Sequence, residues 1–165
     1  MAYAEHSDYS AIYPDGADET TFDRLVWEAS RIMDVYTTGA DNVRKLQEAA
    51  PTDDYGSEAV KRCACALVDV LYRIGVIEDA AVSSAGIVTR GDGTVVGKQI
   101  SSMSSGSESV SYAVSTAAGS VVGVAASDAE ARKKLIASTI KTYLSGVEDA
   151  NGVNLLYMGV YPYVL

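Results

Sequence analysis

Histidine occurs once in this chain of 165 residues, phenylalanine and tryptophan once each, cysteine twice and proline three times. The only imidazole, His6, stands near the N-terminus in a segment expected to be mobile, so no Ser/His/Asp triad, Cys/His dyad or His-rich metal cluster has a convincing base. Most hydrolase chemistries thereby lose their base. Cys63 and Cys65 stand at i and i+2 within an apolar helical pattern, so their side chains point about 200° apart and are badly placed to pair or to share a metal. They read as reduced core residues. Positive charge is scarce as well, with 13 Lys and Arg against 22 Asp and Glu and a net charge of -9. Such a surface does not grip nucleic acid or anionic lipid by charge. No window reaches the roughly 18 apolar residues needed to span a bilayer, and residues 1–10 carry neither the basic nor the apolar part of a secretory signal. The expectation is a soluble protein made in a cytoplasm, with no membrane partner.

What is present is 48% hydrophobic and 21% charged, with a mean hydropathy of +0.07. Small apolar residues dominate, and a domain of this length buries roughly 70% of its unfolded surface without metals or disulfides. The charge is unevenly placed. Residues 1–58 hold 13 acids and 4 bases, whereas residues 59–165 hold 9 of each.

Along the chain, residues 1–18 are polar and tyrosine-bearing, with a turn at Pro14-Asp15-Gly16, and read as an arm or loop that packs on something. From Glu19 to Thr37 the positions Phe22, Leu25, Val26, Ala29, Ile32, Met33 and Tyr36 fall on one helical face. Asp23, Arg24, Glu28, Arg31 and Asp34 lie on the opposite, solvated face, Thr20 is an available cap, and Gly39 a stop. A short helical turn is expected over 42–48. A second long helix is expected from Ser57 to Ile74, with Gly75 at its end. Residues 79–97 show no long periodicity and a turn at Gly91-Asp92-Gly93. Val110, Tyr112 and Val114 alternate with small residues, so two strands around Ser105-Gly106 predict a hairpin within 98–115. Residues 115–127 are small and uncharged, as in a flexible connector or a loop that orders against a partner. Ser127-Asp128-Ala129-Glu130 has the spacing of a capping box for a last helix that Gly146 stops. The end, residues 154–165, is apolar and aromatic, and fits either a buried strand or a tail that docks on a neighbour.

Candidate chemistry is sparse. Gly91-Asp92-Gly93-Thr94 lacks the Lys and the following helix of a phosphate loop. Asp53-Asp54 and Glu78-Asp79 read as solvated acid pairs, and the serines from Ser101 to Ser111 have no base at a recognisable spacing. No cofactor, metal or catalytic residue is expected. The basic cluster Arg132-Lys133-Lys134 with Lys141 reads as the solvated face of the last helix, or as a contact with the acidic N-terminal third of a neighbouring copy.

The order of motifs resembles a known family. Ala29-Ser30-Arg31-Ile32-Met33-Asp34-Val35-Tyr36-Thr37 matches a first helix of the type Ala-Ser-Arg-x-Ile-Asp-x-Tyr-Thr. Gly106-Ser107-Glu108-Ser109-Val110-Ser111-Tyr112 follows the second long helix, and Leu155-Leu156-Tyr157-Met158-Gly159-Val160 closes the series. In these features the chain resembles the head-tail connector (adaptor, or head completion) proteins of tailed bacteriophages. It departs from them in its 18-residue leader, in the uncharged stretch 117–126 and in Met158, where a basic residue is common. The resemblance implies a mainly α fold, a small helical bundle with a protruding β-hairpin and an extended C-terminal arm. The parts would be an arm at 1–18, a helical domain at 19–153 and a docking segment at 154–165. It implies a structural, non-enzymatic role in the virion neck, as a homo-oligomeric ring of about 12 copies beneath the portal. Genomic DNA would pass through without sequence-specific binding, and a stopper or tail-completion protein would dock below. Leu155, Leu156, Tyr157, Tyr161 and Tyr163 are then the portal-docking candidates. Lys98, Ile100, Met103, Val110, Tyr112, Arg132, Lys133 and Lys134 are the candidates for contacts with neighbouring copies or the next neck ring. Another neck or tail structural protein, such as a tail completion protein, fits the composition too; a small phage enzyme fits it less well for want of a base.

Overall fold

In a computed structural model of the chain, residues 2–89, 95–99, 103–105, 108–110 and 120–159 are described, with side chains at 2–80 and 120–159. The described residues are mainly helical: α1 (His6–Ile12), α2 (Glu19–Thr37), α3 (Lys45–Glu48), α4 (Asp54–Ser84), α5 (Val121–Ser127) and α6 (Ala129–Leu144). Two compact units divide the chain, one from Met1–Tyr72 and Lys133–Leu165, the other from Arg73–Arg132.

The first unit is built on the stripe that the sequence places on α2. Phe22, Leu25, Val26, Ala29 and Met33 are buried, and they join Val60, Cys63, Ala64 and Leu67 of α4 and Ile136, Ile140 and Leu144 of α6 in one core. The cap of α2 is Asp18 rather than Thr20, its Oδ1 accepting the Thr21 amide at 2.8 Å. A carboxylate there also meets the positive end of the helix dipole.

Residues 2–18 pack on the core, as their tyrosines suggest, but not as a plain arm or loop. They contain α1, whose Tyr9 is fully buried and packs tilted against Phe22 with ring centroids 5.3 Å apart. The Ala17 amide donates to the Tyr9 hydroxyl at 3.0 Å, closing the Pro14-Asp15-Gly16 turn around the ring. His6 sits edge-on to Phe22, 5.5 Å between centroids. Asp34 is likewise not on a solvated face. It is buried, and its carboxylate accepts the Tyr3 hydroxyl at 2.5 Å and the Gln47 side-chain amide at 2.6 Å. The Tyr3 amide donates to Ser30 Oγ at 3.2 Å. Two polar residues of the Ala29–Thr37 motif therefore fasten the leader onto α2.

Gly75 does not end the second long helix, which runs on to Ser84. A terminating glycine adopts positive φ; Gly75 does not, whereas Gly146 does, at φ 80°, just after α6 ends at Leu144. In the second unit β1 (Ala85–Thr89) pairs antiparallel with β2 (Val95–Gln99), and β3 (Met103–Ser105) with β4 (Glu108–Val110). The stretch 79–97, which shows no long periodicity, thus holds the end of α4, β1 and the start of β2. Residues 120–127 are ordered too: Ser120 Oγ accepts the Gly123 amide at 2.9 Å and starts α5. The cap of α6 is Asp128 rather than Ser127, with Oδ1 accepting the Ala131 amide at 2.7 Å. The Ser127 hydroxyl turns back to carbonyls of α5 instead.

Cys63 and Cys65 are free and buried, as their place in the apolar pattern suggests. Burial pushes the Cys63 thiol up to about 12 and the Cys65 thiol up to about 11, from 9.0. Burial, with Tyr143 and Asp69 nearby, pushes Tyr13 up to about 12 from 10.0. The unfolded chain therefore loses these protons first, so folding stability falls as pH rises from about 9 toward 12, by up to about 1.4 kcal/mol per pH unit for each group titrating in the unfolded chain alone. Urea midpoints measured between pH 7 and 11 should fall in the upper half of that range, and native thiols should resist a disulfide reagent at pH 8. A flat profile with rapid labelling would refute the burial of the two thiols.

Candidate functional site

The C-terminal root of the first unit gathers the unusual polar chemistry. After α6, Asp149 Oδ1 accepts the amides of Asn151 and Val153 at 2.8 and 2.9 Å, folding a tight turn. The turn brings the chain back, and the Leu155 amide donates to the Val147 carbonyl at 2.9 Å. Asn154 Oδ1 accepts the Leu156 amide at 2.8 Å, and the Asn154 carbonyl accepts the Tyr157 amide at 3.0 Å.

Lys45, in the first turn of α3, lies under this return and is fully buried. Its Nζ donates to the carbonyls of Asn154 at 3.1 Å, Leu155 at 3.0 Å and Tyr157, and sits 5.7 Å from the centre of the Tyr157 ring. Three acceptors use all three donors of an ammonium. Burial holds its pKa below the ordinary lysine value, while Asp149 and Asp41 pull it back up. Sequence reading passes over Lys45, because a lysine opening a short helix looks like any solvated charge. The clue available was its place between Val43 and Leu46, both of which are buried.

The expected docking residues part company here. Leu155 is fully buried in the chain's own core and is not a surface contact: the turn at Asp149 folds it inward. Leu156 is half-buried against that core. Tyr157 and Met158 are 50% and 61% exposed. Tyr161 and Tyr163 lie outside the described residues.

Of the other candidates, Arg132 is committed within the second unit. Its guanidinium pairs with Glu78 and donates to the Ala125 carbonyl at 3.1 Å and the Ala126 carbonyl at 3.2 Å, closing the C-terminal end of α5. It is therefore not a spare surface cation, since a guanidinium directed at orphan helix carbonyls is already satisfied. Lys133 and Lys134 are exposed. Met103 and Val110 stand opposite each other in the β3–β4 register. Lys98 belongs to β2 and pairs with Gly86, not across Ser105-Gly106. Ile100 and Tyr112 lie outside the described residues.

Elsewhere in the first unit an open groove of 490 Å³ is lined by Tyr55, Glu58, Ala59, Arg62 and Tyr143. Trp27 and Val35 add exposed apolar surface on α2. Among the described residues no three His, Cys, Asp or Glu side chains gather to hold a metal, and no helix is long and apolar enough to cross a membrane. No family model, no curated protein and no solved structure matches this chain.

Proposed function

We propose that the protein is a structural head-tail connector of a tailed phage, non-enzymatic, forming a ring of about a dozen copies beneath the portal and extending the DNA channel. The observation that carries the reading is the C-terminal root: a helical unit presents Tyr157 and Met158 at its surface immediately before the apolar, aromatic residues 160–165. An aromatic end with an exposed lead-in suits docking on a partner, where tyrosine supplies contact area at low entropy cost. Tyr157, with Tyr161 and Tyr163, anchors to the portal. The β3–β4 strand pair, within the segment 98–115, contacts neighbouring copies or the stopper or tail-completion protein below. The acidic balance favours passage of genomic DNA, because carboxylates facing a channel repel phosphate rather than hold it.

Native mass spectrometry of the protein alone and then with the portal of the same genome tests this. A monomer that becomes a ring of about a dozen copies on the portal is the expected result, with interfaces ordered by docking. Absence of binding to a correctly assembled portal overturns the proposal in favour of a tail-side structural protein.

A further inference from the structure

The C-terminal root is fastened twice. Its first fastening is Lys45, which reaches three carbonyls lying 109 to 112 residues further along the chain. The second is the Ala40 amide, which donates to the Gly159 carbonyl at 3.2 Å. Gly39 permits that approach: a Cβ on it would stand 3.1 Å from the same carbonyl oxygen. Between and beside these fastenings Tyr157 and Met158 remain exposed.

Packing alone does not call for an ammonium at this place. A buried charge is costly to desolvate, and an apolar side chain of similar length fills the same volume at no such cost. What an ammonium adds is direction, because three donors demand three acceptors at set angles. We propose that Lys45 is a positioning residue that gathers the carbonyls of Asn154, Leu155 and Tyr157 and so holds Tyr157 and Met158 in a fixed presentation to a protein partner. The partner's identity as the portal rests on the function proposed above. A lead-in held in its bound form spares the ordering entropy that binding otherwise costs.

Three measurements on the full chain test this. Native acetylation with a limiting anhydride should modify Lys133, Lys134 and Lys141 about tenfold or more faster than Lys45, as burial and three hydrogen bonds protect its amine. Equal rates overturn the tether, and this measurement needs no variant to fold. Lys45→Met should speed amide exchange at residues 155–157 about tenfold or more, and weaken portal binding by a similar factor in protein whose helices remain intact. Unchanged exchange overturns the tether. Tyr157→Ala, which leaves the backbone acceptors in place, should weaken portal binding without speeding exchange at Leu155. If Lys45→Met loosens the root while neither variant alters portal binding, the tether stands and the portal reading falls. If Tyr157→Ala loses the portal while Lys45→Met exchanges and binds as the unaltered protein does, the portal reading stands and the tether falls.

Discussion

A chain ending at Val153 should fail to fold, and one ending at Gly159 should keep its helical core. The shorter chain loses Leu155, which is fully buried, and with it the hydrogen bond from the Leu155 amide to the Val147 carbonyl. Removing a core leucine side chain costs about 2–5 kcal/mol. It also strips Lys45 of all three carbonyls; water then reaches the ammonium, so what is lost is the net value of hydrogen bonds to a charged group, about 1.5–3 kcal/mol apiece. The two losses share neighbours and do not simply add, but together they rival the roughly 5–15 kcal/mol that holds a domain of this kind folded. The chain ending at Gly159 keeps every described contact of the root, including the Ala40 bond to Gly159. Thermal melting followed by circular dichroism separates the two chains. A cooperative transition for the shorter one, within a few degrees of full length, would mean that Lys45 and the Leu155 site find other partners. The comparison matters for function, because loss of particle incorporation on removing all of 154–165 would report unfolding as readily as lost docking. The informative truncation removes 160–165 alone.

The second expected result concerns the leader. Tyr9→Ala should lower unfolding free energy by about 3–5 kcal/mol, as for other buried aromatic side chains. Tyr9→Phe should cost about 1–3 kcal/mol, because it leaves the Ala17 amide, now bound to the tyrosine hydroxyl at 3.0 Å, without an acceptor. Urea unfolding at neutral pH measures both. Were residues 1–18 a free arm, the two variants would fall within about 0.5 kcal/mol of the unaltered protein, as exposed substitutions do.

Legibility varied with how local the determining physics is. The α2 stripe, the Gly146 stop and the burial of both cysteines follow from spacing within a few turns, and each was readable. The end of α4 was not. A glycine in a helical run marks a stop only when its φ turns positive, and the residue types around Gly75 carry no such information. The caps were misplaced by one or two residues, at Asp18 and Asp128, because neighbouring Ser, Thr and Asp side chains compete for the same amides and geometry chooses between them. At the candidate site, Tyr157 was identified and found exposed, but Leu155, two residues away, was placed on the wrong side of the surface. An aromatic and apolar run looks the same whether it lies on its own core or on another protein's.

Composition and periodicity alone settle that this is an acidic, mainly helical chain with buried thiols and a single histidine. Those properties depend on counts and on neighbours within a turn or two of helix. The folding of the leader around Tyr9, the burial of Asp34 beneath Tyr3 and Gln47, and the capture of the C-terminal root by Lys45 were decided by the tertiary structure. Each joins residues far apart in the chain, and a polar side chain declares itself buried only when its distant partners arrive to replace the water it gives up.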